Sequence, residues 1–292
     1  MKIYSVFVST IRSRELGEAL RKAMESANLN GKRTAALLGW SESRVSRLLT
    51  GQLTVPEIDI SAFLGLCHIS GPERARLLRL AREQDTPGWL QQHGSKIPEQ
   101  LTTLVDHESR ATEINDFQAL VVNGLLQTGD YARALLERSG TVPHHEVQGR
   151  VAARLARQNL FSRPRRPTFR FFVHEFVLRL PVGGREVMSE QLHELLRLSV
   201  RSYIAIQVVP AAFGAHAGTA GSCTLMAFDE FKPVVYVEEE TAGHFLEEPE
   251  EIASYRGIFT NLANCALTER ESRDLIATMA VELYGEDRHD SA

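Results

Sequence analysis

Two Ser-Arg pairs lie three residues apart in the first fifty residues, at Ser43-Arg44 and Ser46-Arg47. A guanidinium group carries five N–H donors in a planar fork, which suits bidentate bonding to guanine or to phosphate. The serine hydroxyls add hydrogen-bonding groups of shorter reach. On one exposed face of a rigid helix, these four side chains suit the reading of base edges in the major groove of DNA.

The surrounding sequence predicts a pair of short helices joined by a tight turn. Asn30 is a suitable N-cap for a helix over Gly31–Leu38, and Gly39 reaches positive φ at no steric cost, so it ends that helix. Ser41 is the predicted N-cap of a second helix that runs to about Thr50. The Ser-Arg pairs therefore lie on the second helix.

The apolar residues of the second helix predict which side faces inward. Val45, Leu48 and Leu49 recur at helical spacing and form a stripe for burial. This stripe turns a set of donors outward, namely Ser43, Arg44, Ser46, Arg47 and Thr50. We predict that the first four read bases, with the two arginines most important.

A second set of groups is predicted to hold DNA phosphates. It comprises the backbone at Gly31 and the side chains of Lys32, Arg33 and Thr50. Exposed amides at a helix N-terminus and flexible cations suit phosphate, and such contacts fix the register without reading sequence. The alternative is a helical hairpin whose charged residues only face solvent.

Three further amphipathic segments complete a predicted five-helix domain. One precedes the hairpin, at about Glu15 to Ala27, and two follow it, at about Pro56 to Cys67 and Pro72 to Arg82. We predict a first domain over residues 1–85, a linker rich in Pro, Gly and polar residues over 86–97, and a second domain over 98–292. The N-terminal arm, residues 1–13, has no predicted role.

These residues resemble the helix-turn-helix of the Xre and phage-repressor class. The small residue, turn glycine and buried aliphatic of that class fall on Ala35, Gly39 and Val45. The chain departs from the class at Gly31, where a phosphate-binding Gln is common, and at Thr34, where an apolar residue is usual. The resemblance implies binding of double-stranded DNA.

Charge and composition divide the chain in the same way. The whole chain has a formal net charge of −4, whereas residues 1–85 hold 13 Lys and Arg against 9 Asp and Glu. An acidic chain with one basic part is unsuited to coating DNA without specificity. Its three cysteines, which lack metal-site spacing, and the lack of a long apolar run predict a cytoplasmic protein.

The second half combines helices with a predicted sheet. Residues 99–140 have a helical pattern, and a basic helix is predicted at about 145–162. Four segments rich in β-branched and aromatic residues follow as predicted strands: TFRFFVHE, YIAIQVVP, SCTLMAFD and PVVYVEE. Three more helices are predicted, one between the first two strands and two at the end. The expected fold class is α+β, with a roughly four-stranded mixed sheet and flanking helices.

Two groups in this half are candidates for contact with a ligand or partner. Arg150, Arg154 and Arg157 fall near one helix face and could clamp an anion or an acidic segment, or pair with acids of the same chain. Phe213 and His216 flank a glycine-rich stretch that could cover a pocket, or could be an ordinary loop.

The two motifs that resemble metal-binding or phosphate-binding signatures are incomplete. The pair His174-Glu175 lacks a second His one helical turn later, and the glycines of GAHAGTAG precede no Gly-Lys-Ser/Thr. We therefore predict no enzyme activity, no metal and no cofactor.

A second resemblance covers nearly the whole chain. It is carried by GLLQTGDYARAL, by the R-x3-R-x2-RQ pattern of Arg150 to Gln158, by HEFVLRLPVGG and by IQVVPAAFGAHAG. These segments resemble the C-terminal domain of unassigned function in actinobacterial Xre-type, WhiJ-like regulators, which are described as antitoxin-like. The resemblance implies a transcriptional regulator and a possible small protein encoded by an adjacent gene.

The combined prediction is a sequence-specific DNA-binding regulator. Its C-terminal domain is expected to bind a small-molecule effector or a small protein. A single helix-turn-helix has a small footprint, so we predict a homodimer on a near-palindromic site. The alternative is an antitoxin-like protein that mainly sequesters its partner and regulates its own operon.

Overall fold

The computed structural model describes residues 10–84, 89–92, 98–229, 231–239 and 242–284. These pack as two compact units: unit 1 is Met1–Leu90 with His244–Glu248, and unit 2 is Gln91–Gly243 with Pro249–Ala292. Most of the predicted linker and residues 1–9 of the predicted arm lie outside the described residues. The boundaries at residues 85 and 98 stay predictions.

Unit 1 contains the five predicted helices, which are confirmed. They are α1 (Ile11–Ser26), α2 (Gly31–Leu38), α3 (Glu42–Leu49), α4 (Glu57–Leu66) and α5 (Gly71–Arg82). The predicted stop signals act as expected, because Gly39 has φ of 68° and ends α2 in the left-handed region. Thr10, the first described residue, starts α1 through a capping box with Ser13.

The helices of unit 1 enclose one apolar core. The inward stripe of α3 is part of it, since Val45, Leu48 and Leu49 are all buried. They meet side chains from the other helices, including Leu16, Leu20, Ala35, Ile60, Phe63, Leu64 and Leu77. Burial of each large aliphatic side chain contributes about 1.5–3 kcal/mol, so the orientation of α3 is strongly fixed.

The backbones of α1 and α3 approach closely at Gly17. A Cβ atom added there would lie 2.7 Å from the carbonyl oxygen of Leu49 and 2.8 Å from that of Leu48. These neighbours are backbone atoms, so they cannot move aside without shifting the end of α3. Only glycine fits this crossing.

The remaining elements are a mixture of strands and helices. In chain order they are β1 (Trp89–Gln92), α6 (Pro98–Arg110), β2 (Glu113–Gln118), α7 (Gly129–Arg138), α8 (Val147–Arg157), β3 (Thr168–His174), α9 (Glu175–Arg179), α10 (Arg185–Ser199), β4 (Ile204–Val209), β5 (Cys223–Ala227), β6 (Val234–Glu238), β7 (Ala242–Leu246), α11 (Pro249–Cys265) and α12 (Glu269–Glu282). Short 3-10 turns follow α8 and β4, at Gln158–Ser162 and Ala211–Phe213.

The strands form one mixed sheet in the order β7-β6-β5-β2-β3-β4, with β1 beside β7. Strands β2, β3 and β4 are parallel, whereas β5 is antiparallel to both β2 and β6. The predicted α+β class is therefore confirmed, and the four predicted strands correspond to β3, β4, β5 and β6.

The predicted strand number was too low. The segment of β2 was read as part of a helical region, and β7 was not predicted. Four consecutive residues of β2 are buried, among them the polar Asn115 and Asp116. A central strand that is covered on both faces loses the alternation by which a strand is recognised.

We expect Gly17→Ala to destabilise unit 1, because the new methyl group overlaps two carbonyl groups of α3. Overpacking of this kind costs about 1–3 kcal/mol in free energy of unfolding. Urea unfolding followed by circular dichroism measures the change.

Gly65→Ala is the matched control, since a Cβ atom at this position of α4 meets nothing within 4 Å. It should stabilise the helix by about 0.5–1 kcal/mol. If both variants shift the free energy of unfolding in the same direction, the close approach of α1 to α3 does not restrict position 17 to glycine.

Candidate nucleic-acid interface

The turn between α2 and α3 is held by backbone and side-chain hydrogen bonds. Ser41 Oγ accepts from the amide of Arg44 at 3.2 Å and thereby caps α3. The amide of Trp40 donates to the carbonyl oxygen of Ala35 at 2.8 Å, which closes the end of α2. Because both ends of the turn are bonded, the direction in which α3 leaves it is fixed.

The structure places the predicted base-reading residues on the outer side of α3, opposite its buried stripe. Ser43, Ser46 and Arg47 are exposed, whereas the side chain of Arg44 is 35% exposed. Three of the four side chains are therefore open to an incoming ligand in this structure. Their role in base reading stays a prediction.

Arg44 is engaged by two neighbours that the sequence reasoning missed. Its Nη2 donates to Asp59 Oδ2 at 2.6 Å, and its guanidinium lies 4.4 Å from the centre of the Trp40 ring. Asp59 lies in the first turn of α4, where an acid is favoured by the helix dipole, so its sequence position alone suggested only a helix start. Arg44 must leave Asp59, or bind through its other N–H groups, to contact a base.

The predicted phosphate-binding residues lie around the start of α2 and the end of α3. Lys32 and Arg33 are exposed. Asn30 Oδ1 accepts the amide of Arg33 at 2.9 Å, and the amides of Gly31 and Lys32 precede it as the first two helical N–H groups. Such groups have no intrahelical acceptor and suit an anion.

Thr50 is less suited to phosphate than predicted. Its Oγ1 lies 3.1 Å from each of the carbonyl oxygens of Ser46 and Arg47, to which it donates. The single hydroxyl hydrogen is therefore used within α3, and it must turn away from both acceptors before it can reach a phosphate oxygen.

The three arginines of α8 in unit 2 are bonded to residues of the same chain. Arg150 Nη2 lies 2.9 Å from Glu146 Oε2, and Arg157 forms a buried two-pronged bond with Glu108 at 2.6 and 3.1 Å. Burial opposes the charge of Arg157, but Glu108, with smaller effects of Glu238 and Tyr236, outweighs it, so the pKa of Arg157 is raised.

Arg154 lies between the other two and has a different kind of partner. Its Nη1 donates to Gln127 Oε1, a neutral amide oxygen, at 2.7 Å. Burial, aided by the nearby charge of Arg157, lowers the pKa of Arg154. Arg154 therefore differs from Arg150 and Arg157, because the side chain to which it donates is neutral and not a carboxylate.

Asp116 is a buried acid beside this cluster that the sequence reasoning missed. Its Oδ2 accepts from Thr224 Oγ1 at 2.7 Å and from Gln118 Nε2 at 3.1 Å. Burial raises the pKa of Asp116 to about 6, and the charge of Glu108 adds to the shift. Asp116 lies in β2, a segment that the sequence pattern assigned to a helical region, so no pattern indicated a buried acid there.

His216 lies on the other side of β2, where it contacts Phe117. Phe213 is 56% exposed, while the His216 ring lies 5.5 Å from the Phe117 ring and 5.4 Å from that of His174. Burial, followed by the charge of His174, lowers the pKa of His216. Because successive residues of a strand point to opposite faces, Phe117 and Asp116 separate the two predicted ligand groups.

Two family models match the chain. One is described as a domain of unknown function (DUF5753) and matches residues 101–278, which is more than half of the chain. The other is described as a helix-turn-helix domain and matches residues 15–77. The second match spans the elements from α1 to α5, including the hairpin described above.

No curated protein matches the chain in sequence. A solved structure of TrmBL2, an archaeal chromatin protein described as showing a novel mode of DNA binding, aligns with 82% of this chain and 88% of that chain. The identity is 10% and the TM-score is 0.29, a likeness that carries no argument.

The described residues contain neither a membrane-spanning helix nor a metal-binding cluster. Within these ranges no helix combines the length and the apolar character needed to cross a bilayer. In the same part of the chain, no group of three or more His, Cys, Asp or Glu side chains is arranged to hold a metal ion.

We expect Asp116→Asn to change how stability depends on pH. The pKa of Asp116 is about 6 in the folded chain, against an ordinary value of 3.8 for this carboxyl group. Between these values the folded state binds a proton that the unfolded chain does not, so the stability that this group contributes falls as pH rises from 3.8 to about 6 and changes no further above that. The variant should remove that loss and gain roughly 2–3 kcal/mol over wild type at pH 7.5.

Urea unfolding at pH 4.5 and at pH 7.5 measures the effect as the difference between variant and wild type. Asp274→Asn removes the same charge from an exposed position of α12 and is the control. A gain from Asp116→Asn that is equal at both pH values would contradict the assignment.

Proposed function

This chain belongs to the DUF5753 family and carries a helix-turn-helix domain, and from that premise we propose that it is a sequence-specific DNA-binding transcriptional regulator. The family description assigns no function to the larger part. The amino-terminal hairpin is therefore what supports a role on DNA. An actinobacterial origin and a WhiJ-like role stay predictions.

One observation carries the proposal. The outer side of α3 presents Ser43, Ser46 and Arg47 to solvent, while its inner side is fixed in the core of unit 1. A short helix with a fixed inner face and outward donors is the arrangement by which helix-turn-helix proteins read the major groove. Arg47, the exposed arginine, is the leading candidate for a bidentate contact with guanine.

The groups around α3 support binding to the DNA backbone. Lys32 and Arg33 lie at the start of α2 with the first two amides of that helix. In this proposal they bind phosphates and set the position of α3, while the outer residues of α3 determine sequence preference.

The length of α3 supports a dimer. Eight residues span about 12 Å, so one copy reaches only a few base pairs. We propose a homodimer on two related half-sites about one helical turn, roughly 34–36 Å, apart. The proposed role of unit 2 is to bind a small-molecule effector or a small protein rather than to catalyse a reaction.

Selection of bound duplexes from a random pool, with the full chain, tests the proposal. We expect an enriched motif made of two related halves, and a complex whose mass corresponds to two copies of the chain. Recovery of unrelated duplexes would reject sequence-specific binding, and a complex with one copy would reject the dimer.

Arg47→Ala and Lys32→Ala should weaken binding in different ways. Loss of a base-reading arginine costs about 1–3 kcal/mol of discrimination and relaxes the motif at one position in each half. Loss of a phosphate-binding lysine should weaken all duplexes alike and reduce the dependence of affinity on salt. Fluorescence anisotropy with selected and scrambled duplexes at several salt concentrations separates these effects.

Glu25→Gln is a useful control, because Glu25 is exposed on α1 and is not among the predicted contacts. If Arg47→Ala weakens selected and scrambled duplexes equally, Arg47 does not read a base. If Lys32→Ala changes the motif, its assignment to phosphate is wrong.

Asp59→Asn should strengthen DNA binding. The carboxylate holds Arg44 at 2.6 Å and places a negative charge beside the proposed interface. Its removal releases the guanidinium and reduces repulsion of phosphate, so we expect affinity for every duplex to rise by up to about tenfold at low salt.

Glu57→Gln is the matched control. Glu57 lies on the same helix as Asp59 and carries the same charge, but it pairs with Arg82 at 2.7 Å and not with Arg44. Its removal should change affinity less than Asp59→Asn does. Weaker binding of Asp59→Asn to the selected duplex would show instead that Asp59 aims Arg44 at its base.

A further inference from the structure

Unit 2 contains an open cleft of about 540 Å³ at the starts of β3 and β4. It lies away from α8 and from the loop with Phe213, so it contains none of the predicted ligand residues. Its volume is in the range of sites for small organic molecules. Its lining includes three arginines, Arg170, Arg201 and Arg273.

Arg170 is an exposed residue of β3 that lines the cleft. Its cross-strand neighbours are Asn115 on β2 and Ala205 on β4, both of which are uncharged. A charged residue in the middle of a sheet usually gains from an opposite charge directly across the ladder. The positions across from Arg170 supply none, so its charge remains available to a ligand.

Arg201 lies in the turn before β4 and is oriented by an aromatic side chain. Its Nη1 donates to the hydroxyl of Tyr203 at 3.2 Å, and that hydroxyl donates to the carbonyl oxygen of Phe161 at 3.1 Å. One N–H direction of the guanidinium is thus used to hold the side chain in place. Its remaining donors are available for a bidentate contact.

A further arginine stacks on the same tyrosine. The guanidinium of Arg166 lies 4.1 Å from the centre of the Tyr203 ring, which itself lines the cleft. Arg166 Nη1 donates to the carbonyl oxygen of Arg163 at 3.2 Å, and Arg163 and Arg165 are also exposed. Arg166 therefore adds positive charge beside a side chain that lines the cleft.

The acids that line the cleft do not balance these arginines. Glu113 accepts from Asn115 Nδ2 at 2.8 Å. Glu269 lies 4.0 Å from Arg273, which also donates to the carbonyl oxygen of Ser199 at 3.4 Å. Arg273 is thus paired with groups of the same chain. The other three arginines, Arg170, Arg201 and Arg166, outnumber the one remaining acid, Glu113, so the cleft carries an excess of positive charge.

We propose that this cleft binds a small organic phosphate that carries two or more negative charges. Guanidinium groups pair bidentately with phosphate oxygens, and the exposed hydroxyl of Ser202 lines the same cleft. A concave site formed by separate chain segments suits a compact molecule better than a polymer backbone. This binding does not depend on the proposed contact of α3 with DNA.

Isothermal titration of the full chain with inorganic pyrophosphate and with adenosine diphosphate tests the proposal. Both should bind, and adenosine should not. Arg170→Ala and Arg201→Ala should each weaken binding at least tenfold, the size expected for a charge-assisted contact. Glu113→Gln should tighten binding severalfold, because it removes the acid that repels the anion.

Arg138→Ala is the control, since Arg138 is an exposed arginine of α7 outside the cleft lining. It should leave the affinity unchanged. Equal losses for Arg138→Ala and Arg170→Ala, adenosine binding as tightly as its diphosphate, or no heat from pyrophosphate at millimolar concentration would each overturn the proposal.

The same variants separate this inference from the proposed function. Arg47→Ala should lose DNA discrimination and still bind pyrophosphate, whereas Arg170→Ala and Arg201→Ala should bind DNA as wild type does. If the cleft variants weaken duplex binding and leave pyrophosphate binding intact, the arginines face a nucleic-acid backbone and the small-ligand site is wrong. Failure to bind any duplex, with pyrophosphate binding intact, rejects only the proposed function.

Discussion

The burial of three apolar side chains on α3 is the constraint on which its outward face depends. Val45, Leu48 and Leu49 lie in the core of unit 1, so rotation of the helix about its axis would expose them. At about 1.5–3 kcal/mol for each side chain, such a rotation costs more than any surface contact returns. Gly17 adds a steric limit, because α1 meets the carbonyl groups at the end of α3. The position of Arg47 therefore follows from packing, not from its own interactions.

Electrostatic partners then decide which arginines remain available to a ligand. Arg44 and Arg47 are adjacent in the same pattern, yet Asp59 and Trp40 engage only Arg44 among the contacts described above. The arginines of α8 show the same selection, since Glu108 forms a buried bidentate pair with Arg157 while Arg154 bonds a neutral amide. An arginine that is already paired must give up that partner, or use its remaining N–H groups, to bind another anion.

The sequence was sufficient for elements whose signals are local. The bounds of α2 follow from Asn30 and Gly39, a cap and a stop whose chemistry acts within a few residues. Strand β2 could not be recognised in that way, because the burial of four consecutive residues arises only in the folded chain and leaves no alternation in the sequence. Asp59 and Asp116 were missed for the same reason: nothing near either residue in sequence shows that it contacts Arg44 or lies buried beside Thr224.

Thr34 departs from the pattern of the helix-turn-helix class by placing a hydroxyl group in the core of unit 1. The helix-turn-helix class usually has an apolar residue here, and Thr34 is fully buried with no hydrogen-bond partner for Oγ1 among the described residues. An unsatisfied buried hydroxyl costs about 1–3 kcal/mol, which the core around it must offset. The fold tolerates this cost because Thr34 has nearly the shape of valine, so the packing of α2 against α3 is kept. A residue can therefore depart from the chemistry of its class without disturbing the geometry that positions the outer face of α3.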